Sequence, residues 1–186
     1  MLAVALAVLG CGPAESNPAG TDVEKPSPTT SAPRDTPTPR DSPSVAEPGR
    51  TEVPEQLQFT ATTLDGDGFE GASLVGKPAA LWFWAPWCPI CRNEGPTVTK
   101  LSKAYEGKVS IVGVAGLDKL DAMHEFVSET GVGGIPHLAD AQGAVWRHFD
   151  ITTQSTWVLL DADGKIVHAG RLDADELTAH VRRLAS

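Results

Sequence analysis

Residues 79–91 read Ala-Ala-Leu-Trp-Phe-Trp-Ala-Pro-Trp-Cys-Pro-Ile-Cys. The run from Ala79 to Ala85 is apolar throughout, the composition of a strand covered on both faces in the middle of a sheet. Lys77-Pro78 introduces it, and Pro89 suits the first turn of a helix, where its missing N–H is no loss. The two cysteines therefore sit where a strand hands over to a helix. The first helical turn presents unpaired N–H groups and a partial positive charge, which favour a thiolate over a thiol. Cys88 is the expected nucleophile and Cys91 its resolving partner, because two thiols so spaced at such a junction can cycle between dithiol and disulfide.

Outward from this centre, the helix opened by Pro89 is expected to run to about residue 105, with Pro96 inside it as a kink. Residues 109–115 form a second buried run. Residues 118–130 carry Leu120, Met123, Phe126 and Val127 at helical spacing, closed by Gly131, Gly133 and Gly134. After a turn at 140–143, Val145, Trp146 and Phe149 are spaced as a short helix. Strands at 156–160 and 165–169 flank Asp161-Ala162-Asp163-Gly164, a strong hairpin signal, and a last helix spans 173–184. Upstream, residues 57–62 alternate apolar and polar and meet Leu64-Asp65-Gly66-Asp67-Gly68, opening a first hairpin with Phe69 and Leu74 packed beneath it. This order predicts an α/β domain, with helices on both faces of a central mixed sheet and an N-terminal β-hairpin extension.

Composition changes sharply near residue 55. Ten of the fifteen prolines lie between Cys11 and Leu57 among Ser, Thr, Gly and charged residues, whereas all five Trp and all five Phe follow. The leader cannot bury enough surface to offset its conformational entropy, so 12–56 reads as a disordered tether and 57–186 as one folded domain. The first ten residues are wholly apolar or small, too short for a membrane span and close to a signal-peptide core. Val8-Leu9-Gly10-Cys11 resembles a bacterial lipobox, which implies lipid on Cys11 and anchoring to the outer face of the cell membrane; the alternative is a plain export signal. With Cys11 set aside, the three cysteines leave one pair. A net charge of −9 argues against nucleic acid as a partner, which requires a basic surface.

LWFWAPWCPIC, the Glu94 and Pro96 that follow, GVAGLD at 113–118 and DADGKIVHAG at 161–170 together resemble the thioredoxin superfamily. Within it they are similar to the extracytoplasmic TlpA/ResA and DsbE-like branch, and most of all to secreted DsbE/DsbF-like proteins of mycobacteria, over roughly residues 51–186. The resemblance implies a thioredoxin-like fold and a monomer that exchanges disulfides with exported proteins, served by a membrane redox partner and needing no cofactor or metal. In that chemistry the Cys88 thiolate attacks a partner's sulfur and Cys91 resolves the mixed disulfide. The mycobacterial likeness points to oxidative folding; the wider branch keeps open a reductase of the kind used in cytochrome c maturation. A copper-binding module using the same sulfurs is the reading from another class, although the histidine that serves such modules as third ligand and their CxxxC spacing are not evident. A peroxidase would place Thr where Ala85 stands.

Two departures from the pattern bear on the site. Most thioredoxin-like proteins carry a cis-proline before the strand at 156, where this chain has Thr153-Gln154-Ser155-Thr156, with Ser155 at the proline's position. Ser155 is expected to donate its hydroxyl to the thiolate, to open the dithiol to a metal ion, or simply to alter substrate preference. Trp87, Pro89, Ser155 and Thr156 form the expected docking surface. Cytoplasmic thioredoxins also bury an acid six residues before the first cysteine, here Trp82, so the resolving thiol needs another proton acceptor. Glu94, one turn past Cys91, is the nearest; it can equally be a surface residue compensating the helix dipole. The five histidines show no ligand spacing, and Trp82, Trp84, Trp146 and Trp157 are expected in the core.

Overall fold

The computed structural model describes residues 52–186. The predicted export signal, Cys11 and all but the end of the predicted tether lie outside the described residues. Packing begins at Val53, and Glu55–Leu57 forms a 3-10 turn whose Leu57 is buried. The expected first strand is correspondingly shorter, β1 (Thr60–Thr62), and pairs antiparallel with β2 (Gly68–Glu70) as a separate hairpin. A bridge from Thr63 to Leu138 fastens that hairpin to the edge of the main sheet.

The main sheet has the order β5-β4-β3-β6-β7, with β3 (Ala79–Trp84) central and wholly buried. β4 (Ser110–Gly116) and β5 (His137–Asp140) run parallel to β3; β6 (Thr156–Leu160) runs antiparallel to it, and β7 (Ile166–Gly170) completes the terminal hairpin. The helices are α1 (Pro89–Ala104), α2 (Leu120–Thr130), α3 (Ala144–His148) and α4 (Ala174–Leu184). Gly131 ends α2 in the left-handed conformation, and Asp173 with Glu176 closes a reciprocal cap on α4.

The expected mixed sheet and its helices are all present, and the sequence reading lacks only β5. That strand has four residues, follows Pro136 and carries His and Asp, so neither an apolar run nor an alternation marks it. Pairing with β4 supplies what local pattern does not. His137 is buried there: its Nδ1 accepts from Trp84 Nε1 at 3.2 Å, its Nε2 faces the Val132 carbonyl at 3.0 Å, and burial lowers its pKa.

Side chains of β3 alternate between two cores. Ala80, Trp82 and Trp84 enter one layer with α1, α2 and α4, where Trp82 stacks on Trp157 and Trp84 on Phe126. Ala79, Leu81 and Phe83 enter the other with Val145, Trp146 and Phe149, and Leu57 and Leu74 close that side. Both faces carry helices as expected, but unequally. The chain steps from β3 to β4 to β5 in one direction, so two crossovers of the same hand place α1 and α2 on one face.

Candidate active site

Because β3 ends with Ala85 and Pro86 still buried, the chain turns tightly into α1 and leaves Cys88 as the helix N-cap, in extended conformation with Pro89 next. Cys88 and Cys91 form a disulfide with Cα atoms 5.3 Å apart. Cys88 Sγ accepts the Cys91 backbone N–H at 3.1 Å, the bond that a Ser or Asp oxygen makes at an ordinary N-cap. Cys88 as a residue is 3 % exposed, and Cys91 is fully enclosed. The outer cysteine thus keeps a trace of exposure at the positive end of the helix, and the inner one is sealed.

The turn is fixed from outside by Arg92. Its guanidinium donates to the Pro86 carbonyl at 3.2 Å, pairs with Glu129 of α2, and lies 5.3 Å over the Phe126 ring. Sequence reading does not single out Arg92, because its partners are reached only through the fold. Trp87, as expected, stays at the surface beside Cys88, half exposed, and its Nε1 donates to the Leu117 carbonyl at 3.3 Å.

Glu94 is not a plain surface residue. One turn beyond Cys91, its Oε2 accepts from Trp82 Nε1 at 2.7 Å and from the Ser155 hydroxyl, while Trp82 Nε1 also lies 3.1 Å from Ser155 Oγ. Burial pushes the Glu94 carboxyl above its ordinary pKa, against the opposing pull of the Ser155 hydroxyl, the Trp82 and Trp157 N–H groups and the Arg171 charge. Trp157 Nε1 is buried with no partner at hydrogen-bonding geometry. The other side of Glu94 lines a groove of about 400 Å³ between α1 and the start of α4, with Ile90, Asn93, Arg171 and Leu177. Water can therefore reach the carboxyl that the protein interior holds.

The Gln154–Ser155 peptide bond is cis, and the Ser155 hydroxyl goes to Glu94 in this disulfide form rather than toward sulfur. Ser155 and Thr156 are buried, and Thr156 Oγ1 donates to the Thr153 carbonyl at 2.7 Å, so both side chains expected at the docking surface turn inward. Pro89 remains exposed. Trp82, expected as core alone, is also the donor that joins Glu94 to Ser155; its place six residues before Cys88 is the one signal for it. Among the described residues no group of three or more His, Cys, Asp or Glu side chains could hold a metal ion, and no helix is long and apolar enough to cross a membrane.

A disulfide whose outer cysteine caps a helix N-terminus and whose inner cysteine is sealed, set at the end of the central strand of this sheet, has the chemistry of thiol-disulfide exchange. The chain is a thiol-disulfide oxidoreductase of thioredoxin-like fold. It belongs to the AhpC/TSA family, whose model matches residues 52–169. It is similar to the soluble secreted antigen MPT53 of Mycobacterium tuberculosis, 40 % identical over 143 residues that cover 75 % of this chain and 82 % of that protein. Among solved structures it is similar to MTB dsbF in its mixed oxidised and reduced forms, at 48 % identity and a TM-score of 0.68, covering 72 % of this chain and 99 % of that one. It also resembles a secreted Mycobacterium tuberculosis disulfide oxidoreductase homologous to Escherichia coli DsbE, at 40 % identity and a TM-score of 0.64, covering 70 % and 98 %. The fold and enzyme class implied by the sequence motifs are borne out.

Proposed function

We propose that the chain is an exported enzyme that introduces disulfides into other exported proteins, with Cys88 as the sulfur attacked and Cys91 as the leaving and resolving sulfur. The observation that carries this reading is the Cys88 sulfur standing as N-cap acceptor of α1. A partner thiolate attacks Cys88 Sγ; the Cys88–Cys91 bond breaks and Cys91 departs with the electron pair. A second partner thiolate then attacks its own sulfur in the mixed disulfide, and Cys88 leaves as a thiolate stabilised by the Cys91 N–H and the helix dipole. The partner loses two electrons and the enzyme gains them, so a membrane redox partner must reoxidise the dithiol. The likeness to a protein described as a secreted disulfide oxidoreductase supports disulfide exchange by an exported protein. Export on the apolar segment before Cys11, with lipid on Cys11 holding the domain near the membrane by its tether, rests on the sequence motif alone.

The test is a Cys91→Ser variant expressed in an exporting host. The expected result is mixed disulfides between Cys88 and exported proteins; a Cys88 thiol that alkylates readily yet traps nothing overturns the reading. The Cys88–Cys91 potential, measured against glutathione, decides direction: a strongly reducing value makes the chain a reductase.

Glu94 serves the inner sulfur. It delivers a proton to Cys91 as that thiolate leaves, and takes it back when Cys91 attacks. Replacing Glu94 with Gln keeps an oxygen for Trp82 and Ser155 but removes the titrating group. The Cys91-dependent step is then expected to slow by roughly a hundredfold and to lose an inflection lying above the usual carboxylate range. Because the folded-state pKa is raised, the stability Glu94 contributes is fully present below its unfolded value and is lost as pH rises through the folded one. Glu94→Gln is therefore expected to melt higher than the parent at neutral pH while exchanging more slowly. An unchanged rate and pH profile remove Glu94 from the mechanism.

A further inference from the structure

Trp82 of β3 and Trp157 of β6 are direct partners across the antiparallel ladder, and their rings stack with centroids 5.8 Å apart and planes at 14°. One of the two indoles has an acceptor, since Trp82 Nε1 donates to Glu94 Oε2. The other does not. Trp157 is 1 % exposed and its Nε1 meets no partner, although a buried donor left unpaired is costly and rare in a folded protein. A donor stranded beside a buried acid asks what it is kept for.

Ser155 stands two residues before Trp157, so both side chains leave the chain on one face, and the Ser155 hydroxyl already goes to Glu94. Donors from Trp82, Ser155 and Trp157 thus surround one carboxyl, and all three pull against the burial that raises its pKa. The carboxyl is used on one side only. Both hydrogen bonds end on Oε2, and among the described residues none ends on Oε1. A neutral acid whose Oε2 is the acceptor carries its proton on Oε1, where it opposes an approaching N–H. Losing that proton turns Oε1 into a charged acceptor.

We propose that Trp157 is a positioning residue for Glu94, its indole N–H held in reserve for the ionised carboxylate. This rests on the reading of Glu94 as the proton carrier of Cys91 and deepens it. As Cys91 leaves the disulfide with the electron pair, the Glu94 proton passes to its sulfur and the Trp157 N–H closes on Oε1. When Cys91 attacks, the proton returns and that bond opens. The indole therefore steadies the negative charge only while the charge exists.

The experiment is a pH titration of the oxidised full chain, followed by its indole N–H resonances in nitrogen–proton correlation spectra. The five tryptophans give five such signals, and the one lost in Trp157→Phe belongs to Trp157. That signal is expected to move downfield with the inflection that the Trp82 signal reports as Glu94 ionises, and to stay still in Glu94→Gln. Phenylalanine keeps a ring against Trp82 but offers no donor to the carboxylate. In Trp157→Phe the proton affinity of Glu94 should therefore rise by roughly threefold or more, moving the Trp82 inflection and that of the Cys91-dependent step to higher pH. A Trp157 signal indifferent to pH through the Trp82 inflection, or inflections unmoved in Trp157→Phe, overturns the proposal. If Trp157→Phe does not fold, the titration of the parent decides alone, its signals assigned from their contacts to neighbouring protons. Failure of the underlying reading is separate: Glu94→Gln would resolve mixed disulfides at the parent's rate while the parent's Trp157 signal still followed Glu94.

Discussion

Replacing Cys88 with Ser is expected to reduce exchange with any protein thiol to background, a loss on the order of 10⁶-fold if the residue is the sole nucleophile. The same change should leave the domain folded. A serine hydroxyl remains a good N-cap acceptor for the Cys91 N–H, so the first turn of α1 keeps its cap. Closing a loop as short as Cys88 to Cys91 restricts the unfolded chain little, a contribution of about 2 kcal/mol in the chain-entropy model. Cys88→Ala differs in a useful way. It removes the cap as well as the nucleophile and should cost about 1 kcal/mol more than serine at equal inactivity. Thermal melting of the two variants together with peptide oxidation separates the chemical role of the sulfur from its role as a cap. Residual exchange in Cys88→Ser, blocked by alkylating Cys91, would move the nucleophile to the inner position.

Gly113→Ala is expected to be the most damaging of the small changes to stability. A Cβ at this position in β4 would lie 2.1 Å from His137 Nδ1, 2.7 Å from His137 Cε1 and 2.8 Å from Trp84 Nε1. None of these is the flexible end of a side chain. His137 is held at both ring nitrogens, and Trp84 is stacked on Phe126 at 4.1 Å between centroids. Accommodating the methyl group means separating the Trp84 N–H from its acceptor inside the core. Overpacking and a stranded donor together should cost about 3 kcal/mol or more. For a domain of this size the melting temperature falls by roughly 10 °C. A drop of only about a degree would show that the two rings can slide apart in the folded state.

The redox centre was legible because its information is local. Seven apolar residues, a proline at a helix start and two cysteines define a strand, a junction and a pair without reference to anything distant. The terminal hairpin is marked in the same way by Asp161-Ala162-Asp163-Gly164, and α4 by Asp173 and Glu176. What escaped depends on long separations. Glu94 meets Ser155 across 61 residues and Trp82 across 12, and no window on α1 tells a buried acid from one that compensates the helix dipole. Strand β5 exists because β4 offers it a ladder and Gly113 offers His137 room. Arg92 reads as a surface cation until Pro86, Phe126 and Glu129 are seen around it.

The alternation along β3 limits how this enzyme can vary. Trp82 reaches Glu94 and Ser155 because it shares parity with Ala80 and Trp84, while Leu81 and Phe83 fill the opposite layer. A single residue gained or lost within the strand would reverse that assignment, sending the indole to the wrong side and a phenyl ring toward the carboxyl. Side chains there can be exchanged one at a time, but the count of positions between Pro78 and the first cysteine acts as a fixed ruler that keeps the indole on the carboxyl's side of the sheet.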